Sequence, residues 1–295
     1  MDTFKAQFII CLLRILACLP LRFNHALGKI LGYGLLWLPN TIKQVTRTNI
    51  DLCYPEKTAR WRNQLLQQSL IETGKTFTEL GPLWFWHKDR LLKKVVSVSG
   101  KDIFKEPLPN HTGIIAVTPH MGCWELASFY ISQTSPLTNL FRPPRLETLT
   151  PTIYKARERF GAHLVPINTQ GIKAIYQALR TNEVVGLLPD QEPSKNHGVF
   201  APFFGINAYT MLLLPRLAQK TGARIIFVYM ERLARGKGYH LHYVPTDDEI
   251  YAKDPRQSAT AINRIVESCI DINPAQYMWG YKRFKKRPDG EDRFY

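Results

Sequence analysis

Short apolar runs alternate along the chain with stretches in which apolar residues recur at helical spacing. Runs rich in β-branched residues predict strands, and the 3.6-residue spacing predicts helices. We expect strands at 95–99, 113–117, 164–166, 184–188, 224–230 and 239–244, and helices at 57–80, 124–131, 171–180, 210–220 and 258–272. This alternation predicts an α/β fold with a mixed, largely parallel central sheet flanked by helices.

The amino-terminal region, residues 1–40, is dense in apolar residues. Pro20 and interspersed charges divide it into two stretches, and neither is an uninterrupted run of the ~20 residues needed to cross a bilayer. Residues 4–19 fit either a buried helix of a soluble core or a helix that lies in or dips into a membrane. We favour a membrane-anchoring helix, because Arg14 can extend to the interface. The predicted organisation is therefore a membrane-association segment, 1–40, followed by one domain, 41–295.

Lys and Arg outnumber Asp and Glu by 39 to 24 among the 295 residues, a surplus that attracts anionic partners such as nucleic acid, phospholipid headgroups or phosphorylated substrates. A basic cluster at 282–287 fits nucleic acid, an anionic membrane surface or an acidic carrier protein. The apolar amino end makes a membrane the better fit, so no nucleic-acid partner is expected. The five cysteines are odd in number and scattered, which favours a reducing compartment and offers no metal-ligand spacing.

One segment combines a histidine and a carboxylate at the end of a predicted strand. Residues 118–125 read Thr-Pro-His-Met-Gly-Cys-Trp-Glu and open a predicted helix. Pro119 disfavours helix before it and Gly122 permits a tight turn, so His120 lies ahead of the helix and Glu125 in its first turn. Open α/β sheets bind ligands at this edge. If the turn brings the two together, Glu125 fixes the imidazole tautomer and His120 acts as a general base toward a hydroxyl.

The same residues also fit purely structural roles. Glu125 is a residue type that the helix macrodipole favours in a first turn, and His120 is then a loop residue. Asp190 and Gln191 end another buried strand at the same sheet edge, where they can contact substrate, although Asp190 can equally cap a turn. Five other histidines, which have no acidic residue at useful spacing or lie in polar turns and strand starts, are interpreted as structural or surface residues: His111, His163, His197, His240 and His242.

The His-x4-Glu pattern resembles the His-x4-acid signature shared by glycerolipid and lipid A acyltransferases. Several further blocks, in family order, are similar to the late acyltransferases of lipid A biosynthesis. These blocks are residues 46–56 with Arg-x-Asn and Cys-Tyr-Pro-Glu, 141–144 and 157–161 with arginines, 186–191 with Leu-Pro-Asp-Gln, 199–205 with Phe-Phe-Gly, and 273–284 with Pro-x-Gln-Tyr-x-Trp. Together they extend over most of the chain and are jointly specific.

The resemblance implies a glycerolipid acyltransferase-like fold and an enzyme at the cytoplasmic face of a bacterial inner membrane. Its expected partners are an acyl carrier protein thioester as donor, a hydroxyacyl chain on a lipid A precursor as acceptor, and inner membrane lipids. His120 is then the base and Glu125 orients it. Three arginines are candidates for binding phosphates, or else are solvated helix charges. Arg142 and Arg159 are the first candidates, and Arg157 comes after them.

No metal and no organic cofactor is expected, because the mechanism requires none and the sequence has neither a Gly-rich phosphate loop nor a Cys/His cluster. The oxyanion formed on the thioester would need donors from backbone N–H groups near Gly122 or from an arginine. Two alternatives remain. A glycerolipid (lysophospholipid) acyltransferase would use a different acceptor, and a non-enzymatic basic membrane-binding protein would keep its function after His120→Ala.

Overall fold

The apolar runs form nine strands in a computed structural model that describes residues 2–105, 113–144 and 146–295. The strands are β1 (Val95–Ser99), β2 (Ile114–Val117), β3 (Leu137–Phe141), β4 (Ala162–Pro166), β5 (Val184–Leu187), β6 (Gly198–Phe203), β7 (Ile206–Met211), β8 (Arg224–Arg232) and β9 (Tyr239–Val244). Seven of them make one sheet in the order β1-β9-β8-β2-β5-β3-β4, and β6 pairs with β7 as a hairpin. In the sheet, β8 and β9 are antiparallel and the other neighbours are parallel. The predicted mixed, largely parallel sheet is confirmed.

Helices cover both faces of this sheet. They are α1 (Asp2–Cys18), α2 (Leu21–Trp37), α3 (Thr41–Cys53), α4 (Ala59–Phe85), α5 (Lys88–Leu92), α6 (Lys101–Lys105), α7 (Trp124–Ile131), α8 (Thr150–Glu158), α9 (Thr169–Arg180), α10 (Leu213–Thr221) and α11 (Pro255–Ile272). Alternate residues of β2 point to opposite faces. Ile115 and Val117 join a core with α3, α9, α10 and α11, whereas Ile114 and Ala116 join a core with α1, α7 and α8.

The first two helices pack on the long helix α4 through glycines that let the backbones approach closely. A Cβ atom on Gly74 of α4 would lie 2.1 Å from the carbonyl oxygen of Gly28 in α2. The outward faces of α1 and α2 carry large exposed apolar side chains: Phe4, Phe8, Leu12, Ile15, Phe23, Leu27, Ile30 and Leu31, with Trp37 and Leu38 at the end of α2. Among the described residues, no helix combines the length and the apolar character that crossing a membrane demands.

Most predicted elements lie within a few residues of the observed ones, but three features differ. The helix expected at 210–220 begins only at Leu213, because residues 206–211 pair with β6 as the second strand of the hairpin. The pattern of the sequence did not indicate β3, β6 or β7. Helix α4 extends beyond the predicted residue 80 to Phe85 and contains Pro82 in its last turn.

Candidate active site

The parallel pairing of β2 with β5 brings a histidine and an aspartate together across 70 residues of sequence. Val117, at the end of β2, lies beside Leu187, at the end of β5. His120 and Asp190 each follow three residues later, so they emerge side by side at the carboxyl edge of the sheet. The Nδ1 atom of His120 lies 2.8 Å from Oδ1 of Asp190, and the backbone N–H of His120 donates to Oδ2 at 2.9 Å.

This carboxylate determines which ring nitrogen of His120 carries the proton in the neutral imidazole. Asp190 is buried, which by itself would raise its pKa, but the charge of His120 and the hydrogen bonds from its ring and backbone hold the pKa below the ordinary value. An ionised carboxylate only accepts hydrogen bonds, so Nδ1 of His120 carries the proton. The other ring nitrogen, Nε2, lies 3.2 Å from the side-chain amide nitrogen of Gln191 and accepts from it. Nε2 is therefore the basic nitrogen.

The predicted partner of His120 is corrected by this geometry. Glu125 does lie in the first turn of α7, as expected. Its carboxylate, however, pairs with Arg157, with Nη2 and Oε1 2.5 Å apart, and its Oε2 accepts from the indole N–H of Trp84 at 3.3 Å. Residues that lie five apart across a turn and the start of a helix need not face each other. The adjacent strand β5 leads instead to Asp190, whose carboxylate does face His120. Glu125 lines the same cavity as His120 but orients Arg157.

The sequence placed Arg142 and Arg159 ahead of Arg157 as candidates for binding phosphate, but Arg157 lines the cavity and Arg159 does not. Arg159 follows the end of α8, and its guanidinium donates to the carbonyl oxygens of Trp86 (2.5 Å), Leu83 (2.6 Å) and Ala156 (3.2 Å). Burial lowers its pKa. These contacts cap the carboxyl end of α4 and leave Arg159 outside the cavity lining. Arg157 and the exposed Arg142 do line the cavity.

The turn that carries His120 is held rigidly on both sides. Gly122 has φ +58°, and a Cβ atom there would lie 2.0 Å from the carbonyl oxygen of Met230, so only glycine fits, as the sequence predicted. The N–H of Gly122 donates to the carbonyl of Gln276 at 3.0 Å, and the N–H of Cys123 donates to that of Met230 at 2.9 Å. The carbonyl of His120 accepts from the N–H of Met278 at 3.0 Å.

A buried arginine, which the sequence did not single out, supports this turn. Arg232 donates to the carbonyl oxygen of Gly122 at 3.2 Å, and its guanidinium also forms ion pairs with Glu79 (2.6 Å) and Glu72 (2.7 Å). The side chain of Gln276 bonds both the N–H (2.8 Å) and the C=O (2.7 Å) of Arg232. The family-like block at 273–284 therefore braces the turn that carries His120 through Gln276 and Met278, whereas Arg232 lies outside every such block.

A cavity of about 930 Å³ opens beside His120 and Gln191. Its lining is largely apolar and includes Ala127, Phe129, Ile131, Leu137 and Leu164. Basic side chains on neighbouring elements also line it: Arg142, Arg157, Lys173, Arg216 and Lys220. The arrangement suits a ligand with a long apolar part and an anionic end. Sequence reasoning missed Lys173, Arg216 and Lys220, although each lies on an amphipathic helix, α9 or α10.

His242 has an acidic partner after all, because its Nε2 lies 3.0 Å from Oε2 of Glu231 on the adjacent strand. His111 lies outside the described residues.

Known proteins place these features in one family. A sequence model described as bacterial lipid A biosynthesis acyltransferase matches residues 2–286. The chain belongs to this family. It is 30% identical over 254 residues to a lipid A biosynthesis palmitoleoyltransferase of Escherichia coli K12, covering 86% of the chain and 82% of that protein. It is 28% identical to the lauroyltransferase of the same strain (92% and 88% covered) and 24% identical to its myristoyltransferase (94% and 85% covered).

Membership of the family makes the chain an acyltransferase and sets aside the non-enzymatic alternative. The family resemblance expected from the ordered blocks is confirmed. The blocks are scattered in sequence but adjacent in space. Asn49, from the first block, donates to the carbonyls of Trp279 and Tyr281 from the last, at 2.7 Å each. The hydroxyl of Tyr281 accepts from the N–H of Glu192, directly after Gln191.

Proposed function

We propose that this acyltransferase moves a fatty acyl chain from an acyl carrier protein thioester to the hydroxyl of a hydroxyacyl chain on a lipid A precursor. The observation that carries the proposal is the His120–Asp190 pair beside a cavity with an apolar interior and several basic lining residues. The names of the relatives, which are palmitoleoyl-, lauroyl- and myristoyltransferases of lipid A biosynthesis, support a fatty acyl donor and this acceptor class.

His120 is the general base in this mechanism. Its Nε2 takes the proton from the acceptor hydroxyl as the oxygen attacks the thioester carbonyl, and Asp190 stabilises the imidazolium that forms. The tetrahedral intermediate then expels the phosphopantetheine thiolate, which receives the proton from His120. The side-chain amide of Gln191 hydrogen-bonds Nε2 of His120 in the free enzyme, and the acceptor hydroxyl replaces it there when the substrate binds.

Arg157 is the proposed donor to the oxyanion. The N–H groups of Gly122 and Cys123, the backbone candidates, already donate to the carbonyls of Gln276 and Met230. Arg157 instead lies in the cavity, held by Glu125 and stacked over the rings of Trp124 (5.6 Å) and Phe141 (5.5 Å). A guanidinium fixed in this way stabilises developing negative charge without reorganising during the reaction. Glu125 then contributes to catalysis by positioning Arg157.

The remaining basic residues at the cavity are assigned to phosphate recognition. Arg142, Lys173, Arg216 and Lys220 lie where the phosphates of a lipid A precursor or of phosphopantetheine would be bound. The acyl chain fits the apolar interior. No cofactor is assigned to the reaction.

The exposed apolar faces of α1 and α2 are proposed to lie in the inner membrane surface as the anchoring segment, residues 1–40, with residues 41–295 as the acyltransferase domain. An interfacial helix buries one apolar face without crossing the bilayer, and the basic surplus of the chain adds attraction to anionic lipid. The five cysteines, none in a disulfide, favour the reducing, cytoplasmic side.

Acyl transfer from purified acyl carrier protein thioesters tests the function directly. Wild type should acylate a hydroxyacylated lipid A precursor in preference to a lysophospholipid, and His120→Ala should lower the rate by about 10²–10⁴. His87→Ala, at a surface histidine 3.5 Å from Asp89, is the matched control and should retain wild-type activity. Preference for the lysophospholipid would favour the glycerolipid acyltransferase alternative, and normal transfer by His120→Ala would refute the catalytic assignment.

A further inference from the structure

A second histidine–carboxylate cluster lies on the antiparallel pair β8–β9, away from the catalytic turn. Glu231 of β8 is directly opposite His240 of β9, and His242 follows two residues later on the same face of the sheet. His242 Nε2 lies 3.0 Å from Oε2 of Glu231. One ligand atom from each of the three residues lies within 4.8 Å of the others. None of the three lines the catalytic cavity.

These three side chains have the composition and spacing of a transition-metal site. Zn²⁺ binds imidazole nitrogen and carboxylate oxygen at about 2.0–2.2 Å, so ligand atoms in a tetrahedral site are about 3.4 Å apart. The rings of His240 and His242 already stack, with centroids 3.9 Å apart and planes 24° apart. Because a bound metal ion lies close to the plane of each imidazole, binding requires the two rings to rotate out of this stack until one nitrogen of each points to the ion. Two residues at i and i+2 on one strand with a third on its neighbour make a chelate in which the backbone fixes all three.

Neighbouring groups orient the ligands as an outer shell does in metal sites. The side-chain amide of Asn273 donates to Oε1 of Glu231 at 3.3 Å, which leaves Oε2 toward the histidines. The ring of Tyr229 stacks on that of His242 with centroids 4.3 Å apart and planes 3° apart. The hydroxyl of Ser99, in β1, lies 2.6 Å from Nε2 of His240 and borders the same space.

The cluster is also reachable from solvent. The side chains of His242 and Glu231 are 17% and 21% exposed, which gives an ion an entry path while most of each side chain is held by packing. Two imidazoles with one carboxylate select Zn²⁺ and similar late transition metals over Mg²⁺, which prefers oxygen ligands.

We propose that Glu231, His240 and His242 bind one divalent transition-metal ion, with Zn²⁺ the best fit. The ion would link β8 to β9 and, through Asn273, to the end of α11. Glu231 directly precedes Arg232, and Asn273 is three residues before Gln276. This link would therefore stabilise the segments of Arg232 and Gln276, which brace the turn that carries His120. The proposal concerns a structural site and does not depend on the proposed acyl donor or acceptor.

Metal titration of the tag-free, full-length protein in detergent tests this site. After stripping with a chelator, wild type should bind one equivalent of Zn²⁺ with a rise in melting temperature, and it should show no response to Mg²⁺. Co²⁺ should give the visible absorption bands of a four- or five-coordinate nitrogen and oxygen site. His240→Ala and His242→Ala should each weaken Zn²⁺ binding by at least about tenfold and abolish the bands.

Three further variants separate this site from others. Glu231→Gln preserves the size of the side chain but should weaken Zn²⁺ binding as the alanine variants do, which guards against a folding defect in those variants. His87→Ala and His120→Ala should bind Zn²⁺ as wild type does. The proposal is overturned if wild type takes up no Zn²⁺ when the ion is in severalfold excess, if binding survives in the folded His240→Ala and His242→Ala variants, or if His120→Ala alone abolishes it.

Discussion

Replacing Asp190 by asparagine should invert the tautomer of His120 while leaving its position almost unchanged. The carboxylate of Asp190 accepts two hydrogen bonds, from the backbone N–H and from Nδ1 of His120. An asparagine has one acceptor oxygen. If that oxygen keeps the backbone N–H, the amide NH₂ faces Nδ1, which must then be the unprotonated nitrogen. The proton moves to Nε2, and the base is lost.

The size of the effect follows from these two hydrogen bonds. Inverting the tautomer of a catalytic histidine in this manner costs about 10⁴ in kcat in the Ser-His-Asp enzymes. The opposite amide orientation keeps the tautomer, but it places the amide NH₂ against the backbone N–H of His120 and leaves two buried donors without acceptors, at about 1–3 kcal/mol each. That cost leaves at most a few per cent of the molecules in the active orientation, so we expect kcat to fall by about 10²–10⁴ with little change in KM.

Steady-state acyl transfer, with kcat and KM determined separately, measures this loss. Asp89→Asn is the matched control, because Asp89 lies 3.5 Å from His87 in a solvent-exposed pair of the same chemistry and should be replaceable without effect. Circular dichroism and thermal melting establish that the Asp190→Asn protein is folded.

A folded Asp190→Asn enzyme with kcat within about tenfold of wild type would refute this reasoning, because general-base catalysis alone is typically worth about 10²–10⁴. If Glu125→Gln then lost activity with a changed pH profile, Glu125 would be the residue that orients His120, as the sequence first indicated. If both variants lose activity, Asp190 acts on His120 and Glu125 acts through Arg157.

Three other perturbations follow from the site. Arg157→Lys keeps the charge but not the planar fork, and kcat in the same assay should fall by about 10²–10³, with an unchanged kcat contradicting the oxyanion role. Arg232→Met removes the guanidinium partner of the buried Glu79 and leaves its carboxylate only the contacts with His25 and Tyr239, which should lower the free energy of urea unfolding by about 3–5 kcal/mol. Burial alone would raise the pKa of Glu79, but Arg232 holds it well below the usual ~4.3. The wild-type protein should therefore keep this stabilisation above pH ~4.3 and lose it as the pH falls toward the pKa of Glu79 in the folded protein. A difference in stability between the two proteins that does not depend on pH would contradict the pairing. Gly122→Ala meets the carbonyl of Met230 and should lower the unfolding free energy by more than the ~1–2 kcal/mol of a left-handed backbone, whereas a neutral effect would mean that the turn can relax.

Local physical preferences explain why the sequence located the two halves of the site. Strand β2 and strand β5 are continuous apolar runs, buried on both faces, and such runs predict central parallel strands. His120 and Asp190 come three residues after the ends of these strands, so both were expected at the carboxyl edge. The glycine at 122 was expected for a tight turn, and its positive φ confirms this.

Strand order could not be predicted from the sequence, and it is what pairs His120 with Asp190. Local pattern does not say that β5 lies beside β2 rather than another strand, so the nearest acid in sequence, Glu125, was chosen as the partner of His120. The buried Arg232 was missed for the same reason, because its two glutamates lie more than 150 residues away in α4. The cluster of Glu231, His240 and His242 likewise depends on the register of β8 with β9.

The sequence alone therefore determined most of the strands and helices, the turn that carries His120 and the family, because periodicity, turn chemistry and ordered motifs are properties of nearby residues. Tertiary structure alone decided which carboxylate holds His120, that Arg157 lines the cavity while Arg159 caps a helix, and which basic side chains line the cavity. These contacts join residues that lie far apart in the chain, and their geometry is fixed by strand order and register rather than by local preference.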